Sequence, residues 1–189
     1  MGIGTILLIV VGLLIVGTII LYNRLVALRQ TRNNAFSDID VQLKQRFDLI
    51  PNLVNVVKGY AKHEKEVFEQ VTKMRAKVSD AGTDGERLQA EGALGGALMN
   101  LFAVAENYPD LKADTNFLKL QEELSDIENK ISAARRFFNN ATNEMNTAVQ
   151  QFPSNLIAKN FGFKEEEFFE LDEAEQEAAQ KAPDVNFGS

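Results

Sequence analysis

Apolar residues run from Ile3 to Tyr22 as IGTILLIVVGLLIVGTIILY, with no charged side chain in the stretch. About twenty residues at a helical rise span roughly 30 Å, the thickness of a bilayer's hydrocarbon core. The pattern therefore predicts a membrane-spanning helix. Tyr22 falls where an aromatic ring prefers the headgroup level, and Arg24, Arg29 and Arg32 follow within one interfacial stretch. A cleaved signal peptide is the competing reading. It needs a basic leader, a shorter apolar core and a small-residue cleavage site; no Lys or Arg precedes this run, and Tyr22-Asn23-Arg24 is not such a site. An uncleaved anchor over residues 1–23 is expected. Gly12 and Gly17 do not form GxxxG, so helix pairing within the bilayer has no specific support. Because the arginines flank only the C-terminal side, the positive-inside rule expects an outside N-terminus and a cytoplasmic soluble domain.

Beyond the anchor the apolar positions keep a helical period. Phe36, Ile39, Leu43, Phe47, Ile50, Val54, Val57 and Ala61 step by three or four, and the stripe resumes at Phe68, Val71, Met74 and Val78. A second row (Leu49, Leu53, Val56, Tyr60, Val67) widens the face. Pro51 keeps the phase and predicts a kink. The first break falls at Ser79–Gly85, where Thr83 and Glu86 fit a capping box that opens a second helix at about residues 86–107. Gly92, Gly95 and Gly96 in that helix point to close packing or local mobility. Phe117, Leu120, Leu124, Ile127, Ile131, Ala134, Phe138, Ala141, Met145, Ala148 and Phe152 then form an unbroken heptad seam. Pro153 stops this third helix, Ser154 opens a short segment and Gly162 closes it. The expected fold is all-α: one N-terminal transmembrane helix, then an antiparallel bundle of long helices with coiled-coil-like packing over residues 24–163, then a tail over 164–189.

Charge separates the tail from the body. The tail from Lys164 onward carries nine acidic and two basic residues, and the remaining 18 acidic and 18 basic residues leave the body neutral. A neutral body with no long basic cluster argues against nucleic acid as a partner. The absence of cysteine excludes disulfides, thiolate nucleophiles and cysteine metal sites.

Several segments carry a family resemblance. Arg46-Phe47-Asp48-Leu49-Ile50-Pro51-Asn52-Leu53-Val54 with Val57-Lys58-Gly59-Tyr60, then Glu106–Ala113 (ENYPDLKA), Ala134–Asn139 (ARRFFN), Pro153-Ser154-Asn155 and Pro183–Phe187 (PDVNF), resemble the LemA family of bacterial membrane proteins. Phe137-Phe138 stands where many relatives are expected to have tyrosines. The resemblance implies one N-terminal membrane helix and an α-helical domain, and the expected location is the bacterial inner membrane. It brings no established reaction or catalytic residue set.

Candidate chemistry is sparse. His63 is the only histidine and has no Cys or His partner for a zinc site. Asp48 and Asn52 lie four apart around Pro51, as a kink support or a partner-docking notch. Arg135 and Arg136 pair with acidic residues or bind an anion. Asn139, Asn140, Asn143 and Asn146 either bond between helices or face water. Phe168 and Phe169 sit among carboxylates, so the tail either docks on its own domain or awaits a partner. Walker, nucleophile-elbow, zincin and Rossmann motifs are lacking. The expectation is a non-enzymatic scaffold or assembly protein without a cofactor or small-molecule substrate. Its partners would be the lipid bilayer and either further copies of itself or another membrane protein. The alternatives are an adaptor or regulator of a membrane-bound protease, prompted by the family resemblance, and an enzyme using carboxylates or His63.

Overall fold

The computed structural model describes residues 2–169, and these form six helices: α1 (Ile3–Tyr60), α2 (Lys65–Asp80), α3 (Asp84–Ala105), α4 (Pro109–Lys112), α5 (Thr115–Gln150) and α6 (Ser154–Phe161). Among the described residues there is no strand, so the all-α expectation holds. The chain divides into two compact units. One comprises the residues up to Val41 with Lys130–Phe169, the other Gln42–Asn129. The expected 164–189 tail is described only as far as Phe169.

In the first unit, α1 begins as the apolar run. Its most apolar window has a mean hydropathy of 2.9 and none of it is buried within the protein, so it is long and apolar enough to cross a membrane. The helix passes from this segment into protein packing without a linker. Leu25 is fully buried and clusters with Met145 and Ala148 of α5, Ala158 of α6 and Phe163. Phe36 meets Phe138 at 5.7 Å between ring centroids. Residue numbers rise along α1 as they fall along α5, which makes the pair antiparallel. Gly162 ends α6 at φ 75°, a left-handed turn that favours glycine.

The second unit is built around a hairpin that the apolar period does not reveal. α1 ends at Tyr60, and the chain reverses over Ala61–Glu64. α2 then runs back along α1: Lys58 lies over the Phe68 ring, and Arg75 lies over Phe47 at 4.1 Å. The expected single helix to residue 78 is therefore two helices. Val57 and Ala61 on one arm and Phe68 and Val71 on the other share one core with Leu94, Leu98 and Leu101 of α3 and Leu111, Phe117 and Leu124. Full burial of such a side chain contributes about 1.5–3 kcal/mol. Two hydroxyls brace the connections: Tyr108 Oη donates to Glu64 at 2.9 Å, and Tyr60 Oη to Asp114 at 2.8 Å. Asp114 also caps α5 by accepting from the Phe117 and Asn116 amides. The Phe117 amide, with Tyr60 and Asn116, holds the Asp114 carboxyl below its ordinary range.

The third predicted helix is α5, 36 residues long. Its seam is buried or half-buried from Phe117 through Ala148. Phe152 departs from the pattern: it is 75% exposed, because the chain leaves the helix at Gln150 and turns into α6. The Thr83 half of the capping box is present, and the Glu86 carboxylate reaches the amide one residue before the cap. Thr83 Oγ1 accepts from the Glu86 amide at 3.2 Å, and the Glu86 carboxylate accepts from the Gly82 amide at 3.0 Å. Thr83→Ala should cost about 1 kcal/mol, and Thr83→Ser should retain most of the stability. Thermal unfolding followed by circular dichroism in detergent checks this; equal melting of the two variants would contradict the cap.

Candidate functional site

An arginine occupies a core position in the second unit. Ile39, Leu43, Arg46, Ile50 and Leu53 fall on one face of α1, and Arg46 is as buried as its apolar neighbours, at 2% exposure. Its guanidinium donates to Glu91 Oε2 at 2.6 Å, to the Glu91 carbonyl at 3.0 Å and to Glu128 Oε2 at 2.8 Å. One side chain thus ties α1 to α3 and α5. Burial alone would lower the Arg46 pKa, but Glu128 and Glu91 outweigh it and hold the group above its ordinary value. Gly95 lies beside it, and an added Cβ would meet Nη1 at 3.6 Å, an ordinary contact. The glycine accommodates the arginine without being sterically required.

The first unit holds a length of non-helical chain on a helical surface. Asn146 donates to the Glu166 carbonyl at 2.9 Å and accepts from the Glu166 amide at 2.8 Å. Asn139 does the same with Phe169, at 3.0 and 2.8 Å. Each carboxamide takes the part a neighbouring β-strand would take. The spacing is commensurate: seven residues of helix rise about 10.5 Å, and three residues of extended chain cover about 10 Å. Arg32 of α1 closes the other side. It donates to Thr142 Oγ1 at 3.2 Å and to the Glu167 carbonyl at 3.1 Å, pairs with the Glu166 carboxylate at 3.4 Å and lies over the Phe138 ring. Arg32, Asn139 and Asn146 thus form a surface that holds the chain's own segment 166–169 by its backbone, with Thr142 anchoring Arg32.

The predicted residues separate accordingly. Arg135 lies over the Phe169 ring at 4.7 Å, which brings these two together at the site. Phe168 is half-exposed beside them, and Arg136 faces solvent. Of the asparagines, Asn139 and Asn146 make the contacts while Asn140 and Asn143 are exposed. Tyr22 packs against Phe161 and Phe163, Arg29 lies over Phe163 and Arg24 is exposed. In the second unit, Asp48 pairs with Lys44 at 3.2 Å, and Asn52 is exposed. Pro51 lines a shallow depression with Val54, Val71 and Arg75. His63 is exposed in the α1–α2 turn. Among the described residues no three His, Cys, Asp or Glu side chains are grouped to hold a metal.

Arg46→Met leaves the Glu91 carboxylate buried without its cation and should cost about 3–5 kcal/mol in denaturant unfolding; Arg46→Met combined with Glu91→Leu should recover most of that. No recovery in the double variant would show that the pair does not act as a unit. Asn146→Ala should remove about 1 kcal/mol per hydrogen bond from the held segment and speed amide exchange at Glu166. Asn146→Asp keeps the acceptor and should preserve protection of that amide, a difference that hydrogen-exchange mass spectrometry reads directly.

The comparisons with known proteins agree with one another. The chain is 26% identical over 174 residues to magnetosome protein MamQ of Magnetospirillum gryphiswaldense, covering 78% of this chain and 64% of that protein. It is 26% identical over 175 residues to magnetosome protein MamQ 2 of Paramagnetospirillum magneticum, covering 79% and 64%. Protein LemA of Metamycoplasma hominis is 29% identical over 147 residues, covering 76% and 66%. The chain thus spans less than two thirds of the MamQ proteins' length. The LemA family profile matches residues 35–187, and the chain belongs to the LemA family.

Proposed function

We infer that this protein is a single-pass scaffold that acts through protein–protein contacts rather than catalysis. Its anchor (1–23) sits in the bacterial inner membrane with the N-terminus outside, and its helical domain (24–163) and tail (164–189) face the cytoplasm. The observation that carries this reading is the backbone-reading surface on α1 and α5. Asn139 and Asn146 hold main chain and not side chains, so the surface can accept an extended segment of another polypeptide when the chain's own segment leaves. The passage of α1 from the bilayer into the first unit without a linker supports it, because that surface then stays close to the membrane where partners are concentrated. The orientation rests on the one-sided Arg24, Arg29 and Arg32.

A photo-crosslinking residue at Arg136 or Phe168 of the full-length protein, activated in cells, tests this. Crosslinks to a second copy or to one other membrane protein are expected, and Asn139→Ala with Asn146→Ala should change their yield. A membrane-bound protease among the products would make the scaffold an adaptor. The absence of protein crosslinks, with a strict monomer by light scattering in detergent, would sink the reading.

A further inference from the structure

The first unit carries an apolar surface that its own packing leaves uncovered. Phe152, Leu156 and Phe161 are 75%, 56% and 57% exposed. They belong to the α5–α6 turn and to α6, an eight-residue helix whose opposite face is buried through Ser154 and Ala158. The helix is fixed in place: Ser154 Oγ donates to the Ala148 carbonyl at 2.6 Å and to the Gln151 carbonyl at 2.8 Å, and Ala158 and Phe163 close on Leu25 of α1. The exposure is therefore a property of a braced element.

Its height along α1 identifies the solvent. Phe161 packs on Tyr22 at 4.9 Å between ring centroids, and Phe163 lies 5.9 Å from the same ring. Tyr22 is the last residue of the apolar run, the position at which an aromatic side chain marks the headgroup level. The turn at Gln151 borders the same depression as Arg24 and Leu28, and Phe152 is the next residue of the chain. Exposed charges on or next to these elements are of both signs: Arg24 and Glu144 border that depression, and Lys159, Lys164 and Glu165 are exposed on α6 and just after it. The lysines and Arg24 have long side chains that keep their charge in water while the stems lie in the interface.

We propose that α6 and the preceding turn form a foot that rests on the bilayer, with Phe152, Leu156 and Phe161 entering the headgroup–acyl boundary beside the membrane-spanning part of α1. The occupant of this face is a lipid surface. The apolar side chains are continuous with the anchor through the Tyr22–Phe161 contact. The foot gives the first unit a second attachment to the membrane, which restricts its tilt about the anchor. It is independent of the scaffold reading, because it requires only the anchor.

The chain contains no tryptophan, so a single one reports its own surroundings. Phe152→Trp, Leu156→Trp, Phe161→Trp and, as reference, Phe137→Trp are each placed in the full-length protein. Phe137 is exposed on α5, about 20 Å of helix from its C-terminal end. The variants are reconstituted in phosphatidylcholine–phosphatidylglycerol vesicles containing lipid brominated either near the headgroup or near the terminal methyl. The expected result is a blue shift relative to Phe137→Trp and loss of emission with the shallow bromine, greater than with the deep one, at the three foot positions. Emission at those positions that matches the Phe137→Trp reference and is not quenched by either lipid overturns the proposal. A blue shift without quenching that disappears as protein is diluted in lipid also overturns it and assigns the face to a second copy. Because Phe152 and Leu156 are more than half exposed, their replacement leaves the core intact, and either variant can decide the question if Phe161→Trp does not fold.

Discussion

A backbone crossing hydrocarbon must satisfy every N–H and C=O within its own segment, and a helix is how a single segment does so. That requirement makes residues 3–22 helical whatever residues come after them. Because α1 continues from them without a break, it also sets the rotational phase of the next turns. Leu25, Ala35 and Ile39 fall on a buried face at helical spacing, and Arg32, beside that face, reaches Thr142 and the carbonyl of Glu167. The bilayer thus bears on the packing of the first unit, through the phase of one helix.

The second unit depends on a different compromise. Apolar side chains supply its cohesion, but they are tolerant of sliding and repacking, whereas Arg46 is not. A guanidinium buried with Glu91 and reaching Glu128 brings three helices to a single registry, at a desolvation cost that an apolar substitute would avoid. Helices with long, repetitive apolar stripes have many near-equivalent registers, and a charge in one slot of the stripe removes that degeneracy.

Most of the fold was legible in the amino-acid order, because burial on one helical face leaves a period. The extent of α5 comes from such a period, the anchor from an uncharged apolar run, and the Thr83 cap and the stop at Gly162 from residues suited to helix ends. The α1–α2 reversal was hidden since Val57 and Ala61 on one arm and Phe68 and Val71 on the other continue in nearly the same phase, with only Gly59 as punctuation. Arg46 had a visible sign, a charge at a stripe position between Leu43 and Ile50, that its place in the family segment obscured. Asn139 and Asn146 could be singled out from the asparagine-rich run only by their separation of two turns. Of the residues they hold, Phe169 stood out as an aromatic among carboxylates, but the backbone contact itself left no sign, because it makes no demand on side-chain identity.

That indifference shapes how the segment after Gly162 can change over evolutionary time. Between Glu166 and Phe169 the side chains can drift while the carboxamide contacts persist, since these meet only amides and carbonyls; drift would forfeit only the Arg32–Glu166 pair and the Arg135–Phe169 stacking. The count of residues cannot drift. One insertion would displace the second contact by about 3.3 Å, the rise of one extended residue, and no substitution on α5 restores a mismatch in length. Relatives that retain both asparagines should therefore vary in composition across this stretch but not in its length.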